Sequence, residues 1–178
     1  MVKIGEFKLN KFNSFIINTI SIAAFFLALT VYVYSVNGNI LNELIYKVYQ
    51  RDTAISIIVL LLATVVIHEL VHAIGYKIFG ARLKFGIRYL NVYTVDISGR
   101  LYSVLQMSMI MLLPFITITT TFLLIVMLLP HITIYMLPAI LLNICGSTGD
   151  IFLLIYILYK GGKCKIKDEE YGFSIYLN

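Results

Sequence analysis

The chain has 178 residues, 60% of them hydrophobic and only 13% charged, with a net charge of +5 and a mean hydropathy of +0.92. Soluble domains are roughly 45–50% apolar, so this composition speaks against a water-soluble enzyme and for an integral membrane protein. Cys145 and Cys164 are too few and too dispersed for a disulfide framework or a cysteine-based zinc site.

Lys3, Lys8 and Lys11 precede a first apolar stretch over residues 14–36. It is longer than the apolar core of a signal peptide and no small-x-small cleavage site follows, so it reads as a retained span. The loop Asn37–Thr53 carries an amphipathic patch suited to the outer surface. A second span covers residues 54–76. In residues 82–100, Leu83, Phe85, Ile87 and Tyr89 alternate with Lys84, Gly86 and Arg88, the period of a half-buried strand, which predicts a β-ribbon. Spans over 101–129 and 133–159 follow, joined at Pro130–His131 into an antiparallel hairpin. The polar tail 160–178 reads as peripheral. Each span meets the length of about 20 residues needed to cross a bilayer, and inside lipid each must be helical to satisfy its backbone. The expected fold is an all-α membrane protein, one domain over residues 1–178. It has four transmembrane helices and a short cytoplasmic-side β-hairpin between helices two and three.

If the spans alternate in direction, one side receives Lys3, Lys8, Lys11, Lys77, Arg82, Lys84, Arg88, Arg100, Lys160, Lys163, Lys165 and Lys167. The other receives only Lys47 and Arg51 of the fourteen basic residues. This asymmetry predicts cytoplasmic N- and C-termini. It also makes the basic residues topology determinants, which removes nucleic acid as a partner.

The stretch TVVIHELVHAIGY, Thr64–Tyr76, sets two histidines and a glutamate into the second span. His68 and His72 are one helical turn apart on one face, a spacing at which two imidazoles bind one metal ion. Glu69, adjacent to the first, can reach a metal-activated water as general base. Shuffling this composition produces H-E-x-x-H about once in a thousand chains, and ionisable groups at membrane depth mark function by default.

A catalytic zinc usually takes three protein ligands, and the spans hold only two carboxylates, Glu69 and Asp150. With Glu69 assigned as base, Asp150 is the candidate third ligand. His68 precedes Lys77 by nine residues and Asp150 precedes Lys160 by ten. At about 1.5 Å per residue both lie some 14–15 Å from the same membrane boundary. His131, at the outer end of a hairpin, is at the wrong depth, and Asp96 reads as a solvated turn acid. Asn143, two turns before Asp150, either contacts a substrate backbone or oxyanion or holds two helices together. Gly146 and Gly149 serve close helix packing or substrate access equally well.

With HELVHA, Phe79-Gly80, the ribbon and Gly149-Asp150 in view, the chain resembles the small multi-pass membrane proteins described as putative zincin peptidases. It is similar, more distantly, to the site-2 protease group of intramembrane metalloproteases. The resemblance covers roughly Thr64 to Ile151. It implies one Zn2+ per chain, with His68, His72 and Asp150 as ligands, Glu69 as base and Asn143 in the place of an asparagine upstream of the aspartate. Ile151 after Asp150, and the lack of a proline between Asn143 and Asp150, depart from the site-2 pattern.

The resulting expectation is a membrane-embedded zinc metallopeptidase acting on peptide or transmembrane-protein substrates, in contact with lipid and of open oligomeric state. The alternatives are a non-catalytic metal-binding membrane protein (sensor, transporter or structural) and a zinc hydrolase of a non-peptide substrate.

Overall fold

The computed structural model of the chain describes residues 1–35, 38–89, 91–160, 163–170 and 172–177. Val36 at the end of the first expected span, Asn37 in the following loop and Leu90 in the ribbon lie outside the described residues, as do Gly161, Gly162, Tyr171 and Asn178 in the expected tail.

Strand β1 (Val2–Lys8) leads into α1 (Lys11–Ser35), whose first turn is capped by Asn10, its side-chain oxygen accepting from the Asn13 amide at 2.8 Å. The amphipathic patch forms a helix, α2 (Gly38–Tyr49), before α3 (Arg51–Ile78). The ribbon is a hairpin of β2 (Leu83–Arg88) and β3 (Asn91–Asp96), turned at Tyr89, whose φ of 50° fits a tight hairpin loop. Short β4 (Leu101–Ser103) runs directly into α4 (Val104–Leu128). Ser103 and Gln106 form a reciprocal capping box that starts this helix.

After a 3-10 turn at Pro130–Ile132, the fourth expected span is two helices, α5 (Thr133–Gly146) and α6 (Thr148–Lys160). They are separated at Ser147, a right-handed residue whose ψ flattens to −1° at a φ of −70°, and whose hydroxyl donates to the Asn143 carbonyl at 2.8 Å. Four helical segments, 11–32, 51–78, 104–128 and 130–160, are long and apolar enough to cross a membrane. Their outward faces, such as Ile58, Val59, Leu62 and Val66 on α3, are exposed apolar surface. Such faces belong against hydrocarbon rather than water.

The described residues are mostly helical (69%), but the all-α expectation is corrected by six strands in two sheets among them. The N-terminal residues are β1, and the tail is a hairpin of β5 (Cys164–Glu169) and β6 (Gly172–Leu177). Together with β4 they form an antiparallel sheet of order β1-β6-β5-β4. Its inward residues explain why: Ile166 pairs with Ile175, both fully buried. Phe7 lies opposite Phe173 with ring centroids 5.9 Å apart. Gly172 permits the approach of β1, since a β-carbon there would sit 1.9 Å from the Phe7 carbonyl oxygen. This inner face packs with Tyr76, Tyr102, Met107, Ile110 and Ile157 in one core, at the ends of α3, α4 and α6. That core fixes the part of α3 and α4 next to the histidines.

Candidate metal centre

α3 carries His68 and His72 on one face, and the break between α5 and α6 places Asp150 in the first turn of α6. A carboxylate at a helix N-terminus is favoured by the backbone dipoles, so the interrupted span is a suitable place to hold an acid. Asp150 Oδ2 lies 3.2 Å from Nε2 of His68 and 3.2 Å from Nε2 of His72. The cluster is shielded, with His72 buried and the other two half-buried.

The other ring nitrogens fix what these three atoms are. His68 Nδ1 is 3.0 Å from Asn143 Oδ1. The Asn143 amide nitrogen is committed to Thr119 Oγ1 at 3.0 Å and the Pro114 carbonyl at 3.4 Å, so its oxygen faces the imidazole and accepts from it. His72 Nδ1 donates to the Ile110 carbonyl at 3.0 Å. That carbonyl is available because of sequence: Pro114 lies inside α4 four residues later and has no N–H to return to it.

Both Nε2 atoms converge on the Asp150 carboxylate oxygen, and with both rings neutral all three present lone pairs that a cation among them would satisfy. Zinc bonds to nitrogen and oxygen are about 2.0 Å, which gives a tetrahedral edge of about 3.3 Å, close to the two Nε2–carboxylate separations of 3.2 Å, and the three ligand atoms all lie within 4.8 Å of one another. Two imidazoles and one carboxylate, with outer nitrogens bound to an amide and a carbonyl, are a donor set that fits zinc.

Glu69 follows the first histidine, and Thr94 of β3 donates to its Oε2 at 2.8 Å while lying 3.1 Å from its backbone carbonyl. The hairpin thus holds the side chain next to the ligands. Two cavities meet here, one of 390 Å³ reached past α1 and the α5–α6 junction, and one of 160 Å³ beneath β5 and β6. Glu69, Asp150, Val92 and Tyr93 line both.

A model of the family described as putative zincin peptidase matches residues 61–165, well over half of the chain. The chain belongs to this family. No curated protein and no solved structure matches it. Membership in a zincin peptidase family points to a metallopeptidase and to zinc, and the clustered His68, His72 and Asp150 are a possible site for it.

His68, His72, Asp150 and Asn143, named from sequence, are brought together with Glu69 beside them. His131 is exposed in the turn after α4, away from the cluster. Asp96 is a turn acid, but a buried one at 3% exposure rather than solvated. It accepts from the Arg82 and Ser98 amides and from the hydroxyls of Ser98 and Tyr102. Burial pushes its carboxyl up, but these hydrogen bonds outweigh it and hold the group below the usual range.

Sequence reasoning missed Thr94, Pro114 and Asp168. Asp168 of β5 accepts from the Asp96 amide at 2.9 Å and from the Tyr76 hydroxyl, tying the sheet to the ribbon and to α3. Its burial pushes the carboxyl up to about 7 against those hydrogen bonds. A proline in a span was the one available signal, since it marks the carbonyl four residues earlier. Nothing local marked Thr94 or Asp168.

Proposed function

We propose that the protein is a membrane-embedded zinc metallopeptidase that hydrolyses peptide bonds in membrane or membrane-proximal segments. The observation that carries this is the convergence of two imidazole nitrogens and a carboxylate oxygen, within 4.8 Å of one another, beside a glutamate held at the meeting point of two cavities. Zinc held by His68, His72 and Asp150 would polarise the peptide carbonyl and acidify water.

The residues do the rest. Asn143 and the Ile110 carbonyl keep both imidazoles in the tautomer that presents Nε2. Glu69 takes one proton from the attacking water as its oxygen bonds to the carbonyl carbon. When the C–N bond breaks, Glu69 passes that proton to the leaving amine, and the proton left on the new carboxyl group follows it, so the products are a carboxylate and an ammonium group. Thr94 aims the Glu69 carboxylate throughout. Asn143 borders the larger cavity with both ends of its amide engaged, by His68 and by Thr119 and Pro114, so its role in this reading is to hold His68.

Substrate must be extended, because a peptide carbonyl inside a helix is occupied by its own helical bond. Strand β3 offers a template for such a segment. Arg88 pairs with Asn91 across the hairpin loop, so alternate residues from Asn91 bond to β2 and Val92, Thr94 and Asp96 turn their backbone outward. The Asp96 amide confirms this alternation by donating away from β2, to Asp168. Val92→Pro removes only an outward N–H, so it should lower turnover while zinc content stays at the wild-type level. Unchanged turnover would exclude strand pairing at β3. The site would be reached from the cytoplasmic half of the bilayer, with both termini cytoplasmic, as the twelve-to-two distribution of basic residues supports. The arrangement of ligand helix, β segment and later aspartate is the basis for a site-2 protease-like reading.

The test compares wild type with Glu69→Gln after purification in detergent. Both should hold one zinc per chain, while Glu69→Gln should lose at least about 100-fold in cleavage of a peptide library prepared from membrane fractions. Equal cleavage by the two proteins would refute the peptidase reading. A physiological function that survives Glu69→Gln would favour a structural or sensing metal.

A further inference from the structure

The 390 Å³ chamber opens on the metal centre, with His68, Glu69 and Asp150 in its wall. Ser21, Asn91 and Tyr93 also line it, and three further polar side chains are engaged with protein partners. The Asn18 amide donates to the Tyr89 carbonyl, the Thr64 hydroxyl to the Leu60 carbonyl, and the Asn143 amide to Thr119 and Pro114. What faces the chamber is chiefly hydrocarbon from Ile17, Val65, Leu142 and Leu153. A cavity of roughly 150 Å³ accommodates benzene, so this one has room for a large apolar side chain together with adjoining backbone.

Gly146 and Gly149 form part of the same wall, and helix packing requires neither. A β-carbon at Gly146 would meet nothing within 4 Å, and one at Gly149 would meet only the Ile17 methyl at 3.7 Å, an ordinary contact. Glycine is a poor helix former. Its presence twice where no neighbour presses is accounted for by the space it leaves open.

We propose that this chamber binds an apolar substrate side chain next to the scissile bond, and that Gly146 and Gly149 set the size it accepts. The inference rests on the metallopeptidase reading and assigns that activity a preference for bulky aliphatic or aromatic residues.

Hydroxamates, which chelate zinc through one end and carry a chosen side chain at the other, test it without a known substrate. Binding of acetohydroxamate, isovalerohydroxamate and phenylacetohydroxamate to zinc-loaded protein in lipid nanodiscs would be measured by calorimetry. His72→Ala serves to subtract partition into lipid. Wild type should bind isovalerohydroxamate about tenfold or more tighter than acetohydroxamate. Gly146→Leu should keep the wild-type affinity for acetohydroxamate and lose the preference, to within about twofold. Leu142→Ala, which enlarges the chamber from the same wall, should shift preference toward phenylacetohydroxamate, and it decides the matter if Gly146→Leu fails to hold zinc. Preferences unchanged in both variants would overturn the proposal while leaving the metal centre intact. Failure of wild type to bind even acetohydroxamate would overturn the metallopeptidase reading itself, and the chamber's role with it.

Discussion

The two histidines of α3 are presented by different means. His68 is oriented by a side chain, Asn143, which is itself fixed at both ends by its contacts with His68, Thr119 and Pro114. His72 is oriented by the backbone, through a carbonyl of Ile110 that lacks its usual helical donor because Pro114 follows. One support is an added polar group and the other a missing one. A buried amide can be deleted outright, whereas a carbonyl persists under any substitution and can only be given a competitor. The two supports should therefore fail to different degrees.

The largest effect breaks the centre on which both histidines converge. Asp150→Ala removes the carboxylate and should abolish stoichiometric zinc, as read by elemental analysis of the purified protein. Asn143→Leu comes next. It leaves the His68 Nδ1–H buried without an acceptor, and loss of such an outer partner typically costs 10–100-fold in metal affinity. Pro114→Ala should cost less, within about fivefold, because a carbonyl oxygen has two lone pairs and can accept from both the restored helical N–H and His72. Zinc competition against a chelator of known affinity orders the three. If Pro114→Ala weakens zinc as much as Asn143→Leu does, the proline acts by bending α4 and not by freeing a carbonyl.

The smallest expected effect lies outside the membrane segments, at Asp168. Burial pushes its carboxyl up to about 7 in the folded chain, above the usual carboxylate range. The folded state therefore holds the proton more tightly, and the stability this contributes is full below about pH 4 and lost as pH rises through 7. Hydrogen exchange in β5 and β6, corrected for intrinsic base catalysis, should accelerate between pH 5 and 8 in wild type. Asp168→Asn should flatten that dependence.

The helices and the ligands were legible for the same reason. Long apolar runs leave few interpretations, and within them His68, Glu69, His72 and Asp150 are conspicuous because each is costly there. The ribbon was visible in its alternation, and Leu83–Asp96 is indeed where the hairpin pairs. The four-stranded sheet was not legible, although Cys164–Glu169 and Gly172–Leu177 carry the alternation too. Those segments are short, the first is charged on one face, and what makes them strands is pairing with β1 and β4, residues far away in the sequence. The break at Ser147 was hidden by continuous hydropathy across Thr133–Lys160, with only the glycines and Ser147-Thr148 to hint at it. Thr94 stayed unnoticed because a threonine in a strand is unexceptional until the glutamate it holds is seen.

The separation of the ligands also has a consequence for synthesis. Asp150 comes 78 positions after His72, and α4 and α5, which supply Ile110 and Asn143, fall in that interval. At about 5–20 residues per second, the histidines wait roughly 4–16 s before their acid has been made. During that time two imidazoles sit in a span with neither their acceptors nor their counter-charge. If the site holds zinc as proposed, loading would be confined to a late stage of synthesis, after α5 and α6 have docked on α3, and a chain arrested before Asp150 would have no centre to fill.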